Sequence, residues 1–173
     1  MKIAFMGSPE FALPSLKKLV ELKYELALVI CQPDKKQGRG HKTAACPVAS
    51  WAREQGLELY QPSSLRKEEN SALELLAQKE IEVIFCIAFG QIIPESILNF
   101  PKKGAFNAHA SLLPYWRGAA PIHWGLLLDD WGGISLQKME KALDTGPLFW
   151  QHKIYWPPQT QFEQAYQHLQ KYH

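Results

Sequence analysis

Several signatures are missing from this sequence, and each absence removes a class of function. No apolar run approaches the length of about 20 residues that a membrane-spanning helix needs, and Met1 to Met6 is too short for a signal h-region before Gly7-Ser8-Pro9. A soluble, cytoplasmic protein with no membrane partner is therefore expected. Cysteine is scarce: Cys31, Cys46 and Cys86 are widely spaced, form no Cys-x-x-Cys, and have no nearby His pair. Neither a disulfide framework nor a zinc site is indicated, and no metal is expected. The turn after the first apolar run, Gly7-Ser8-Pro9-Glu10-Phe11, has one glycine and a proline where a dinucleotide fingerprint needs Gly-x-Gly-x-x-Gly. No Gly-x-x-x-x-Gly-Lys loop for a nucleotide triphosphate occurs. Charge of one sign is also lacking, for 19 Lys and Arg against 17 Asp and Glu leave +2, too little to indicate nucleic acid without a local patch.

What remains reads as one globular domain over 1–173, since 46% apolar and 21% charged residues suffice for a substantial core. Lys2 to Met6 suits a buried strand, and Glu10 to Leu22 places Phe11, Leu13, Leu16, Leu19 and Val20 near helical spacing. The alternation recurs, with strands over Leu26–Cys31 and Leu57–Tyr60 and helices over Val48–Gln55 and Glu68–Lys79. Val83 to Ala88 is nearly unbroken apolar, as a parallel strand covered on both faces should be. Later, Ile134 to Met139 alternates like a strand and Phe162 to Tyr172 suits an amphipathic helix, while Leu128 to Gly133 reads as a turn carrying an exposed Trp131. The expected fold class is α/β: a Rossmann-like, doubly wound, mostly parallel sheet. Its ligand site belongs beyond the carboxyl ends of the strands, in the loops after Met6, Cys31, Ala88 and Ala108.

Chemistry is concentrated after Gly104-Ala105-Phe106, which begins a further strand. Asn107 and His109 are two residues apart and share one side of an extended chain. An amide donor beside an imidazole suits acyl transfer, Asn steadying a developing oxyanion and His taking a proton from an attacking amine. A turn-capping Asn and a structural His would give the same pair. Asp144, in the loop closed by Thr145-Gly146-Pro147, could orient His109, or could simply form an Asx-turn.

The pattern Asn107-x-His109-x-Ser111-Leu112-Leu113-Pro114-x-x-Arg117-Gly118, followed by Leu143-Asp144-Thr145-Gly146-Pro147, resembles the folate-dependent formyltransferase family. The likeness runs from Met1 to about Pro147. It implies the formyltransferase fold, with Asn107, His109 and Asp144 as the catalytic trio. Ser111, Leu112, Leu113 and Pro114 would help hold the folate, and the loop at Phe89 and Gly90 would wall the pterin pocket. The implied cosubstrate is 10-formyltetrahydrofolate, which an amine attacks at the formyl carbon; Asn107 and protonated His109 would steady the oxyanion, while His109 or a water held by Asp144 takes the proton.

The acceptor is indicated by Cys31-Gln32-Pro33-Asp34-Lys35-Lys36-Gln37-Gly38-Arg39-Gly40-His41-Lys42, which resembles the acceptor-stem loop of family members acting on initiator methionyl-tRNA. Lys35, Lys36, Arg39 and Lys42 gather around two glycines as a cationic finger able to reach phosphates and unpaired bases, although a solvated basic loop would share that composition. Arg117 is similar to a residue that starts a helix lining the acceptor cleft. Family members of this kind add a basic carboxyl-terminal barrel, so 1–173 is expected to be the catalytic domain alone, a truncated piece or a naturally short relative. Formyl transfer to an amino sugar nucleotide or to glycinamide ribonucleotide is a rival reading, as is a non-catalytic folate- or RNA-binding module. The loop around Arg39 favours tRNA over both other acceptors, and Asn107, His109 and Asp144 together count against the non-catalytic reading.

Overall fold

The computed structural model describes residues 1–37 and 42–173, together with the side chains of these except Lys36, Gln37 and Lys42. Its contacts gather into two compact units, 1–105 and 106–173.

The first unit is built on parallel strands. β1 (Lys2–Gly7) pairs in parallel with β2 (Glu25–Ile30), and two short strands, β3 (Lys35–Gln37) and β4 (Lys42–Ala44), form a separate antiparallel ladder. β5 (Leu59–Tyr60) joins β2, and β6 (Val83–Ile87) joins the other side of β1. The spatial order β5-β2-β1-β6 explains the composition of the inner strands. Ile3, Ala4, Phe5, Met6, Val29, Ile30 and Ile84 are wholly buried, because helices cover both faces of a parallel sheet and leave no polar side.

Helix α1 (Leu13–Glu21) is preceded by a 3-10 turn over Glu10–Ala12, where one continuous helix had been expected. Pro14 has no N–H to give and fits only a first turn, so the α-helix begins beside it. α2 (Pro47–Glu54) has Pro47 in its first turn and is capped by Cys46, whose Sγ accepts from the Ala49 N–H at 3.4 Å. α3 (Glu69–Gln78) buries Ala72 and Leu76, and α4 (Glu95–Asn99) is a short helix after β6. Gly7 ends β1 in a cramped place: a Cβ there would lie 2.8 Å from Ala12 Cβ and from the Ile87 carbonyl oxygen.

The second unit is an antiparallel meander. β7 (Ala105–His109) pairs with β8 (Trp131–Lys138), which pairs with β9 (Leu148–Tyr155); α5 (Pro121–Leu128) and α6 (Phe162–Leu169) complete it. The register sets Asn107 opposite Gln137 and His109 opposite Ser135. α6 starts with a capping box in which the side chains of Gln161 and Gln164 satisfy each other's backbone N–H. His123 of α5 stacks on Phe162 of α6 at 4.2 Å.

Three expectations are corrected here. Trp131 is the first residue of β8 and is half-buried, its ring 4.7 Å from Trp116 and 5.3 Å from Tyr115. Arg117 does not start a helix: Ala120 takes φ 58° and α5 begins at Pro121, which leaves Arg117 exposed in the irregular segment before it. The arms of the basic loop are not plain loop, since Lys35–Gln37 and Lys42–Ala44 pair as strands.

Candidate active site

In the second unit, the meander brings Asn107, His109 and Asp144 together. Asp144 is the centre. Its Oδ1 accepts from Gln137 Nε2 at 2.6 Å and from Asn107 Nδ2 at 3.4 Å, and its Oδ2 accepts from the Gly118 backbone N–H at 2.9 Å. The same Oδ2 lies 3.6 Å from His109 Nδ1, with the two side chains only 8% and 10% exposed. That distance is a charge contact when the ring is protonated and is too long for a hydrogen bond. His109 Nε2 donates to the Trp116 carbonyl at 3.0 Å, because a carbonyl can only accept.

Backbone strain surrounds this group. Trp116, Ala120 and Asp144 hold positive φ of 51°, 58° and 53°. Such conformations cost about 1–3 kcal/mol each in bulky residues and gather where a structure over-determines its backbone for function. Here the strain has visible effects: Trp116 aims its carbonyl at His109, and Asp144 turns its carboxylate inward. The Trp116, Tyr115 and Trp131 rings fix the strained segment, with Lys153 Nζ 4.8 Å above the Trp131 ring.

The segment after β7 is equally well held. Ser111 is fully buried and donates to the Tyr115 carbonyl at 2.7 Å. Ser135 Oγ donates to the Ser111 carbonyl at 2.6 Å and accepts from the Leu113 N–H at 2.9 Å, and Gln151 Nε2 reaches the Leu113 carbonyl at 2.8 Å. Leu113 is buried, Leu112 half-buried and Pro114 exposed, with a cis bond between Leu113 and Pro114. Sequence reasoning did not single out Gln137, Ser135 or Gln151. The available signal was polar residues inside a strand: Ser135 and Gln137 are 0% and 2% exposed while Leu136 between them is more open.

In the first unit, Phe89 is buried, and its carbonyl accepts from Ser8 Oγ at 2.9 Å and Gln32 Nε2 at 3.2 Å. Gly90 is exposed with φ 81°, and a side chain there would strike Gln32 Nε2. Gln32 also accepts from Lys35 Nζ at 2.6 Å, while Asp34 is held by Gln61 Nε2 at 2.8 Å and Arg53 at 3.0 Å. The Gln61 amide and then the Arg53 guanidinium hold the Asp34 carboxyl below its ordinary value. The Gln-Pro-Asp flank of the basic loop is thus a structured base. Lys35 is exposed, Arg39 lies outside the described residues, and of Lys36 and Lys42 only the backbone is described. Among the described residues no group of three His, Cys, Asp or Glu side chains is gathered to hold a metal, and no helix is long and apolar enough to cross a membrane.

The sequence profile of the formyl transferase family matches residues 1–173, the whole of the chain. The chain belongs to the formyl transferase family. Among its relatives, methionyl-tRNA formyltransferase of Prochlorococcus marinus (strain MIT 9515) is 43% identical over 155 residues, covering 89% of this chain and 47% of that protein. The methionyl-tRNA formyltransferase of Dehalococcoides mccartyi (strain CBDB1) is 47% identical over 150 residues, covering 86% of this chain and 47% of that protein. This formyl transferase chain therefore spans about half the length of these relatives. Its fold matches the crystal structure of phosphoribosylglycinamide formyltransferase from Bacillus halodurans with a TM-score of 0.84 and 16% identity, over 99% of this chain and 88% of that one. The Rossmann-like formyltransferase fold expected from the sequence is the fold observed.

Proposed function

We propose that the chain transfers a formyl group from 10-formyltetrahydrofolate to the amino group of initiator methionyl-tRNA, with Asn107, His109 and Asp144 as the catalytic group. The observation that carries the reading is the arrangement of an imidazole, an amide and a carboxylate in one buried, strained cluster at the end of β7. This donor set fits formyl transfer, which needs a donor for charge growing on the formyl oxygen and a base for the amine proton. The folate supplies the formyl group when bound.

Asn107 Nδ2 turns from Asp144, to which it is joined by a long contact of 3.4 Å, toward the formyl oxygen. His109 gives up the Trp116 carbonyl and, with its ring proton carried on Nδ1 beside Asp144, takes the amine proton at the freed Nε2, and Asp144 steadies the ring once it is charged. Gln137 and the Gly118 N–H hold Asp144 against rotation while this happens. Ser111 to Pro114, pinned by Ser135 and Gln151, and, in the first unit, Phe89 and Gly90 are the residues assigned to the folate. Arg39, Lys35, Lys36 and Lys42 of the basic loop bind the tRNA, as does the exposed Arg117. The 42–47% identity to proteins named methionyl-tRNA formyltransferase supports this acceptor over an amino sugar nucleotide or glycinamide ribonucleotide.

The experiment offers the chain three acceptors with the same formyl donor: methionyl-tRNA, an amino sugar nucleotide and glycinamide ribonucleotide. Formylation of methionyl-tRNA alone, weakened by Arg39→Ala through KM for the tRNA, is the expected result. A preference for either small acceptor would overturn the assignment.

A further inference from the structure

Two of the three cysteines take no part in the group around Asp144, yet they meet. Cys31 follows β2 and is fully buried, and Cys46 caps α2 with its Sγ 3.4 Å from the Ala49 N–H and 3.9 Å from the Gln32 carbonyl. Cys46 Sγ thus lies against the backbone of the residue that follows Cys31, each thiol acts on the ionisation of the other, and none of the three cysteines is in a disulfide. Cys46 is only half-buried, and with Ser8, Pro9, Gln32 and Lys35 it lines a cavity of about 340 Å³. One thiol of the pair is therefore open to a small molecule and the other is held behind it.

We propose that Cys31 and Cys46 form a peroxide-responsive dithiol site, in which a hydroperoxide oxidises Cys46 and Cys31 resolves it as a disulfide. The chemistry follows from the placement. The Cys31 thiol and the first N–H groups of α2 hold the Cys46 thiol down at about 6, while Cys46 in turn and burial push Cys31 up. Thiolate at neutral pH is the form that attacks a peroxide, and a helix amino terminus is a usual place for it. Cys46 thiolate attacks the peroxide O–O bond, giving Cys46 sulfenic acid and releasing hydroxide, or an alkoxide from an organic peroxide. The Cys31 sulfur then attacks the Cys46 sulfur; the S–O bond breaks, the hydroxyl leaves with the Cys31 proton as water, and an S–S bond forms. An external dithiol reverses the change and becomes a disulfide itself.

The bond would close the chain across residues 32–45, the whole basic loop with its strands β3 and β4. It would also cost α2 its thiolate cap. The site is thus a modification point at the base of the loop, and it does not depend on which acceptor that loop serves.

The test treats the whole chain with dilute hydrogen peroxide and reads intact mass and mapped peptides. A loss of two hydrogens, located as a Cys31–Cys46 disulfide with Cys86 still alkylated as a thiol, is expected. Cys31→Ser should stop at a sulfenic acid trapped by dimedone on Cys46, and Cys46→Ser should form no disulfide and react roughly tenfold more slowly. A variant whose melting temperature shows it unfolded is replaced by Cys31→Ala or Cys46→Ala, read the same way. On unmodified chain, the rate of Cys46 alkylation should rise with pH about a midpoint near 6. A disulfide that involves Cys86, dimedone-labelled Cys46 in unmodified chain without disulfide, or an alkylation midpoint near the ordinary thiol value of about 8.5 would overturn the proposal.

Discussion

Replacing Gln137 by methionine separates support of the site from support of the fold. The amide donates to Asp144 Oδ1 at 2.6 Å from a position 2% exposed. A hydrogen bond to a charged partner contributes about 1.5–3 kcal/mol. The other end of the same side chain works against stability, since among the described residues Gln137 Oε1 has no hydrogen-bond partner. Removing a buried orphan acceptor recovers about 1–3 kcal/mol, and methionine keeps nearly the same length. The two effects offset, so the thermal midpoint of Gln137→Met should stay within about 5 °C of the parent. Catalysis has no such offset. Asp144 keeps the Gly118 N–H and the long Asn107 contact but is free to turn from His109 Nδ1. If the lost bond is what fixes the carboxylate while charge develops, kcat falls roughly 10- to 150-fold with KM for the folate little changed. The assay is steady-state formylation of methionyl-tRNA alongside a thermal melt on the same preparation. A melting temperature lowered by many degrees with kcat intact would refute the reasoning and make Gln137 a purely structural residue.

Other expectations follow from packing and charge. Gly146→Ala should lower stability by about 1–3 kcal/mol in a denaturant titration, because its Cβ would overlap the Lys138 carbonyl oxygen, which is backbone and cannot swing aside. Leu16→Ala, at a fully buried site on α1, should cost about 2–5 kcal/mol and lower the melting temperature by roughly 5–15 °C. Asp34 has a lowered folded value, so its contribution is present above its ordinary 3.8 and is lost as pH falls through the folded value. Gln61→Leu removes the largest cause of that lowering, so the stability gap between parent and variant should narrow on acidification from about pH 5 to about pH 2; a constant or widening gap contradicts it.

How far the sequence could be read depended on whether a signal was local. The run Val83–Ile87 declared a buried parallel strand because every residue in it is apolar, and Asn107 with His109 declared a shared strand face by spacing alone. Asp144 was marked by its Gly-Pro loop. β9 left no signal: Leu148 to Trp150 are all exposed, and the strand runs on through Gln151, His152 and Lys153 without a clean period of two. Gln137 was invisible for a different reason. Its importance lies in the residue it faces across the β7–β8 ladder and in the carboxylate it meets, both set by pairing rather than by neighbours in sequence. The start of α5 was readable after all, since Pro121 stands where a helix accepts proline, but the left-handed Ala120 before it breaks the preference of alanine for helix.

The central claim is that the Asn107, His109 and Asp144 group transfers the formyl unit, and the most direct test is single-turnover formylation of methionyl-tRNA from 10-formyltetrahydrofolate by the chain and by His109→Ala. Formylated product from the parent, with the variant at least roughly a hundredfold slower while its melting curve stays cooperative, is the predicted result. Equal rates from parent and variant would contradict the account.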